Sequence, residues 1–159
     1  MKEGKAMFIK TFKVKKPSAA LAGIILIIFV IIAAIAIIVH KVGAPPIYEL
    51  KTESARQGFL SEMGWKVSKE YEGCKVTMVP EEFNDVYKKY NELQKEQGFN
   101  LEKYKGKTVE IYTYSVYNYS GYEDKDCVKC SLMICDGILI GGDVYSTETN
   151  GFMQGLRKQ

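Results

Sequence analysis

The longest apolar stretch of the chain begins at Ser18 and ends at Val39, and its 22 residues include no charge. As an α-helix with a rise of about 1.5 Å per residue, it would span roughly 33 Å, which matches the hydrocarbon core of a bilayer. A helix satisfies its own backbone polar groups and can therefore cross lipid. The apolar core of a cleaved signal peptide is shorter, about 7–15 residues. The pattern predicts one transmembrane helix over residues 18–39 that contacts the lipid bilayer.

Helical periodicity returns after a proline-containing linker over residues 40–51. In the segment TESARQGFLSEMGW, apolar residues recur on one helical face, and Thr52 or Ser54 can cap the start. Gly64 ends this helix. A second helix is predicted to begin at Pro80, because a proline in the first turn loses no hydrogen bond, and to end at Gly98. Apolar residues at spacings of three and four, Tyr90 among them, predict that one face of this helix packs inward.

The remaining apolar runs are short and rich in Val, Ile, Thr and Tyr, which are residues that strands prefer. They lie at residues 65–67, 74–79, 107–119, 128–135 and 138–146. Asp136 and Gly137 predict a tight hairpin between the last two strands, and the glycine pair at 141–142 predicts a bulge. The order α-β-β-α-β-β-β predicts an α+β domain over residues 52–159. We expect an antiparallel sheet with the two main helices on one face.

Charges on either side of the apolar helix predict its orientation. Residues 1–17 contain six lysines and one glutamate, whereas only His40 and Lys41 follow the helix closely. By the positive-inside rule, the basic tail stays in the cytoplasm and the rest is exported. We therefore expect a single-pass protein of the cell membrane with an extracytoplasmic domain. Residues 41–159 hold 16 Lys/Arg and 18 Asp/Glu, a near balance that argues against a nucleic-acid partner.

Three of the four cysteines lie in the segment DCVKCSLMIC, as Cys127, Cys130 and Cys135. Successive side chains of a strand point to opposite faces, so these thiols cannot share a metal ion while the strand is regular. Redox Cys-x-x-Cys pairs usually begin a helix, and none is predicted here. We expect packing thiols, no metal site and no cofactor. One alternative is a disulfide between Cys74 and one of these three, because an exported domain permits it.

Tyrosines are concentrated in the strand predicted over residues 107–119, where Tyr112 and Tyr114 share one face. Tyrosine is favoured at binding surfaces, although strand propensity alone also explains its presence. Asp143 lies in the middle of the last predicted strand. It either pairs with a buried partner or faces a ligand. Tyr112, Tyr114 and Asp143 are therefore the candidate ligand-facing residues.

Residue types needed for common catalytic sites are scarce. The one histidine, His40, lies at the predicted membrane boundary, so a Ser-His-Asp or Cys-His arrangement inside the domain is excluded. The chain contains no Gly-x-Ser-x-Gly and no phosphate-binding glycine loop. The acidic residues are scattered over polar faces and read as solvated surface. We therefore expect no catalytic residues and no enzyme activity.

Four segments are distinctive: FLSEMGW, VPEEFNDVYKKYNELQKEQGFNLEKYKGK, YTYSVYNY and ILIGGDVYSTETNGFMQGL. Together they resemble a family known as domain of unknown function 4830. The resemblance covers residues 52–156 and so almost all of the predicted exported part. Members of the family are small proteins of Firmicutes that typically carry an N-terminal membrane anchor. The resemblance therefore implies a bacterial surface protein, but it implies no activity.

The function expected from the sequence is non-catalytic binding. The membrane-tethered domain would recognise a protein, a peptide or a cell-envelope component through an exposed face or edge of its sheet. Two alternatives stay open. One is an enzyme that acts on envelope polysaccharide with a pair of carboxylates, and the other is a thiol- or metal-responsive sensor.

Overall fold

The structure, a computed structural model, describes residues 27–33, 46–123 and 125–158. The chain divides into two compact units, Met1–Ala44 and Pro45–Gln159. In the first unit, residues 27–33 are helical. Within the described ranges, no helix combines the length and the apolar composition that a membrane span requires. Apart from residues 27–33, the predicted span over residues 18–39 lies outside the described residues, and it stays a prediction.

Helix α1 spans Glu53–Glu62 and begins where the sequence predicts. Thr52 is its N-cap, and the Thr52 hydroxyl accepts a hydrogen bond from the Ala55 amide at 3.2 Å. This bond satisfies one of the free donors of the first turn. Gly64 lies just beyond the end with a φ of 88°, a left-handed conformation that glycine adopts without strain. Leu60, on the inner face of the helix, is fully buried.

Helix α2 spans Asp85–Glu96 and is shorter than predicted. Its N-cap is Asn84, whose side-chain oxygen accepts a hydrogen bond from the backbone amide three residues further on at 2.8 Å. The predicted start at Pro80 is wrong because Asn84 offers the free amides an acceptor and Pro80 does not. Gly98 ends the helix as predicted, with a φ of 89°. A 3-10 helix over Leu101–Tyr104 follows.

Five strands form one antiparallel sheet in the order β1-β2-β3-β4-β5. The strands are β1 Gly73–Met78, β2 Thr108–Ser115, β3 Val128–Cys135, β4 Ile138–Ser146 and β5 Met153–Gln154. The predicted α+β class is confirmed. The predicted strand over residues 65–67 is wrong, since Val67 forms only a single bridge to Val116. One predicted strand before α2 is thus absent, and an additional strand, β5, follows β4, so the order is α-β-α-β-β-β-β instead of α-β-β-α-β-β-β. With two residues, β5 is too short to show an alternating pattern in the sequence.

The hairpin between β3 and β4 turns at Asp136 and Gly137, as predicted. Their φ angles are 51° and 81°, which is the pattern of a type I′ turn whose twist matches that of the strands. A shift in register directly after Met133 leaves Ile140 as an additional residue on β4. This bulge lies immediately before the glycine pair at which it was predicted.

The two helices lie on opposite faces of the sheet, which corrects the prediction that they share one. One core contains Phe59, Leu60, Tyr114, Cys130, Leu132 and Val144, and so joins α1 to the first face. The other contains Leu101, Val109 and Met133, with Ile111 of β2 and with Tyr87 and Tyr90 of α2 packed against it. Tyr114 and Ile111 are three positions apart on β2 and therefore face opposite ways. Because β3 and β4 are buried on both faces, one layer of helices cannot cover the sheet.

Two glutamine side chains fasten α2 to the edge of β4. Beyond the short β5, the Gly142 amide donates to Gln94 Oε1 at 2.8 Å, and Gln97 Nε2 donates to the Gly142 carbonyl at 3.0 Å. Gln97 Oε1 also accepts from the Leu156 amide at 2.6 Å. The side-chain amides of Gln94 and Gln97 thus form the hydrogen bonds to the β4 backbone that a neighbouring strand would otherwise form. A Cβ at Gly142 would lie 2.5 Å from the Ser131 carbonyl oxygen, so this position requires glycine.

We expect the substitution Gln94→Leu to lower the free energy of unfolding by about 1–3 kcal/mol, because it leaves the buried Gly142 amide without an acceptor. Chemical denaturation of the full chain measures this change. Lys89→Leu, at an exposed position of the same helix, is the matched control and should change stability by no more than about 0.5 kcal/mol. Equal effects of the two substitutions would contradict this role of Gln94.

Candidate functional site

A groove crosses the face of the sheet that α2 only partly covers. Its volume is about 440 Å³, which lies within the usual range of ligand pockets, roughly 300–1,000 Å³. Tyr87 and Tyr90 of α2 form one wall, and side chains from all five strands form the floor. Since neighbouring strands are about 4.8 Å apart, a groove across five of them is about 19 Å long. A second cavity, between α1 and the C-terminal end of α2, is smaller at about 270 Å³.

Asp143, one of the predicted ligand-facing residues, lies on the floor of this groove. It is 4 % exposed, and its Oδ2 accepts a hydrogen bond from the Tyr90 hydroxyl at 2.6 Å. Burial raises the pKa of Asp143 to about 6, and the hydrogen bond from Tyr90 opposes part of that rise. Asp143 thus has both of the roles that the sequence left open, a buried partner and a position in a cavity. Tyr90, which the sequence suggested only as a packing residue, is the missed member of the pair.

Tyr112 and Tyr114, the other predicted ligand-facing residues, point to the opposite face of the sheet. Tyr114 has no exposed surface, and its hydroxyl accepts from Arg56 Nε at 2.9 Å and lies 3.1 Å from Glu53 Oε2. Tyr112 is half-buried beneath the Arg56 guanidinium, whose carbon lies 3.8 Å from the ring centroid. Neither ring contributes to the groove. Of the three candidate ligand-facing residues, Asp143 alone therefore lines the groove.

Arg56 explains why these tyrosines are buried. It is 5 % exposed and donates to the Leu50 carbonyl at 3.0 Å and to Glu53 at 3.0 Å. Burial alone would raise the pKa of Glu53, but hydrogen bonds from Gln57, Arg56 and Tyr114 outweigh it and lower that pKa. The cluster fixes α1 to the sheet through charge-assisted hydrogen bonds. We interpret its role as structural.

All four cysteines are unpaired in the structure. Cys74 lies on β1, and β1 pairs only with β2. Cys130 and Cys135 lie on β3, two strands away and therefore about 9.6 Å across the sheet, whereas a disulfide requires Cα atoms closer than about 7 Å. Cys127 lies just before β3 and is equally remote. The structure thus corrects the alternative of a disulfide to Cys74, and the thiols of Cys130 and Cys135 are buried in the two cores.

A serine of β2 and a lysine of β3 lie next to each other on the face of the sheet that carries the groove. Lys129 Nζ donates to Ser115 Oγ at 2.6 Å, and such pairs act as nucleophile and base in some hydrolases. Lys129 also binds Glu72 at 2.9 Å and Asp126 at 3.0 Å. Desolvation acts to lower the pKa of Lys129, but the hydrogen bonds to both carboxylates outweigh it and raise that pKa. Lys129 therefore stays protonated and is unsuited to act as a base.

Among the residues that the structure describes, no group of three or more His, Cys, Asp or Glu side chains is arranged to hold a metal ion. The groove itself contains a single carboxylate, that of Asp143. It offers hydrogen bonding, one negative charge and aromatic walls.

The family model described as Domain of unknown function (DUF4830) matches residues 59–144, which is more than half of the chain. The chain belongs to the DUF4830 family. The match confirms the resemblance noted in the sequence, and it includes helix α2 and Asp143 of the groove. No curated protein and no solved structure matches this DUF4830 chain. The family description states no activity.

The substitution Asp143→Asn tests whether this carboxylate is buried. The folded pKa is raised from 3.8 to about 6, so the charged form costs stability, and that cost appears as the pH rises through this interval. We therefore expect the variant to be more stable than the parent by roughly 1–3 kcal/mol at pH 7.5 and nearly equal to it at pH 3.5. Denaturant titrations between these pH values measure the difference.

Asp85→Asn is the control for this experiment, because Asp85 is also an aspartate but its side chain is 93 % exposed. This variant should not be more stable than the parent at pH 7.5, because an acid in the first turn of a helix is favourable. A stability difference for Asp143→Asn that does not change with pH would contradict the assigned burial.

Proposed function

We propose that this DUF4830 chain is a non-catalytic binding module, tethered to the bacterial cell membrane by a helix over residues 18–39, that binds an extended peptide in the groove. The observation that carries the proposal is the groove itself, a long cavity across the sheet with one buried carboxylate and tyrosine walls. At about 3.3 Å per residue, its length of about 19 Å accommodates five to six residues of extended chain.

The chemistry of the groove favours binding over catalysis. Glycoside hydrolysis requires two carboxylates on either side of the scissile bond, and Asp143 is the single carboxylate among the described lining residues. The nearby Lys129 is held protonated by its two carboxylate partners. Tyrosine walls, in contrast, offer large contact areas with little loss of entropy.

The open edge of β1 favours a peptide as the ligand. The Val79 amide donates to the Lys107 carbonyl at 2.9 Å, which makes this a hydrogen-bonded pair of the antiparallel ladder. By alternation, the backbone amides and carbonyls of Cys74, Val76 and Met78 point away from β2. Val76 is 63 % exposed. A peptide that leaves the groove at β1 therefore meets backbone groups that no described strand pairs with, and it can add to them as a further strand.

The tether places this groove outside the cytoplasm, and Cys74 provides a test. It is the only one of the four cysteines that is exposed. In intact bacterial cells that produce the full chain, a membrane-impermeant maleimide should label the protein in the membrane fraction. Cys74→Ser should abolish the label, which controls for the other thiols. Labelling that requires cell lysis would contradict the proposed orientation, and a labelled protein outside the membrane fraction would contradict the tether.

Filling the groove tests the binding function. Ser131 lies on the groove floor, so Ser131→Trp should block it. Ser61→Trp is the matched control, because Ser61 is exposed on α1 at the opposite face. Random peptides displayed on phage are selected on the full chain in detergent micelles. We expect the enriched peptides to bind the parent and Ser61→Trp equally and to bind Ser131→Trp at least tenfold more weakly.

Two results would overturn the proposal. One is the absence of any enriched peptide, and the other is equal binding to Ser131→Trp. Thermal melting of each variant shows that it is folded before binding is compared.

A further inference from the structure

The carboxylate of Asp143 has one occupied oxygen and one that is free to meet a ligand. Oδ2 accepts from Tyr90, and no other group among the described residues hydrogen-bonds to this side chain or forms an ion pair with it. Asp143 is nearly completely buried, yet it lines the groove. A buried carboxylate without a cation is costly, so the groove floor is suited to a positively charged group.

The titratable groups around Asp143 do not supply that charge. Burial raises the pKa values of Tyr87 and Tyr90 on α2, and it raises that of Cys130 on β3, so all three are uncharged at neutral pH. Lys129 lies on the same sheet face but is held by two other carboxylates. No described residue therefore neutralises this negative charge, and it is open to another molecule.

Two further residues of the groove complete its charge pattern. Tyr145 lies two positions beyond Asp143 on β4 and presents a neutral ring to the same groove. Lys75 lies on β1, three strands away and about 14 Å across the sheet. A lysine side chain extends only about 6 Å, since each of its bonds advances it by little more than 1 Å. Lys75 cannot reach Asp143, but it makes the β1 end of the groove positive.

We propose that the groove selects a ligand with a primary ammonium group, which binds the free oxygen of Asp143. An ammonium ion is a point charge that one carboxylate oxygen can bind, whereas guanidinium prefers two parallel hydrogen bonds. The Tyr90 hydroxyl already donates to Asp143 Oδ2, the oxygen that the second hydrogen bond of a guanidinium would need. The inference rests on the proposed function, because it assumes that a ligand occupies the groove.

The walls of the groove also fit the stem of such a ligand. Ile111, Met133 and Tyr87 lie along it between β1 and Asp143, and they give a path with little polarity for a flexible alkyl chain. A lysine side chain of a peptide has this chemistry. A peptide N-terminus carries the same ammonium group on a shorter stem.

Three small probes distinguish a lysine side chain from a peptide N-terminus as the source of the ammonium group. Nα-acetyl-lysine amide carries the ammonium at the end of its side chain, norleucine amide carries it at the α position, and Nα-acetyl-norleucine amide carries none. Each is titrated into the full chain in detergent, with binding followed by NMR. At pH 7.5 we expect Nα-acetyl-lysine amide to bind at least tenfold more tightly than Nα-acetyl-norleucine amide. Tighter binding of norleucine amide would identify the N-terminus as the source.

Asp143→Asn should remove this preference, whereas Asp136→Asn should retain it, since Asp136 is exposed in the hairpin turn. The affinity for the preferred amine should also fall about tenfold between pH 7.5 and pH 5, because Asp143 then becomes protonated. Equal affinity of charged and neutral probes, or a preference that survives Asp143→Asn, would overturn the ammonium site.

Failure of this inference is distinguishable from failure of the proposed function. If the peptides selected on the groove lack lysine and bind Asp143→Asn as well as the parent, the groove still binds peptides and only the ammonium site is wrong. If Ser131→Trp has no effect on any peptide or probe, the groove is not the binding site and both proposals fail.

Discussion

The hydrogen bonds between two glutamines and Gly142 determine where helix α2 lies, and the groove depends on that placement. Gln94 and Gln97 satisfy the amide and carbonyl of Gly142 where β5 has ended. This fixes the C-terminal end of the helix at the edge of β4, while its N-terminal end crosses the sheet. The groove remains on the part of the sheet face that the helix does not cover, with Tyr87 and Tyr90 along its wall. The groove is thus a consequence of how the helix is fastened.

Features that depend on a few neighbouring residues could be predicted from the sequence. Thr52 caps α1, and Gly98 ends α2. Asp136 and Gly137 form the hairpin turn because both take positive φ angles. These signals are strong since cap and turn geometry is decided within three or four residues. The α+β class followed from them, as did the bounds of β3 and β4.

Features that depend on strand order could not be predicted in this way. The alternation of side chains sorts the residues of one strand into two faces. It does not show whether Tyr114 of β2 and Asp143 of β4 lie on the same face of the sheet. For this reason the sequence did not reveal that Asp143 faces away from Tyr112 and Tyr114, or that Cys74 lies two strands away from Cys130. The pair of Tyr90 and Asp143 joins a helix to a strand 53 residues further along the chain. Sequence periodicity marked Tyr90 as an inward-facing residue, but nothing local identified its partner.

The position of β1 has a consequence for how the domain assembles. Met78 of β1 pairs with Thr108 of β2, and all of α2 lies between them, whereas β3 and β4 meet across a two-residue turn. Contacts between near neighbours form faster than contacts between distant ones. A chain synthesised from its N-terminus therefore produces α1 and β1 before the strands that receive them. We therefore expect the hairpin of β3 and β4 to form early, whereas β1 can pair only after β2 has been synthesised.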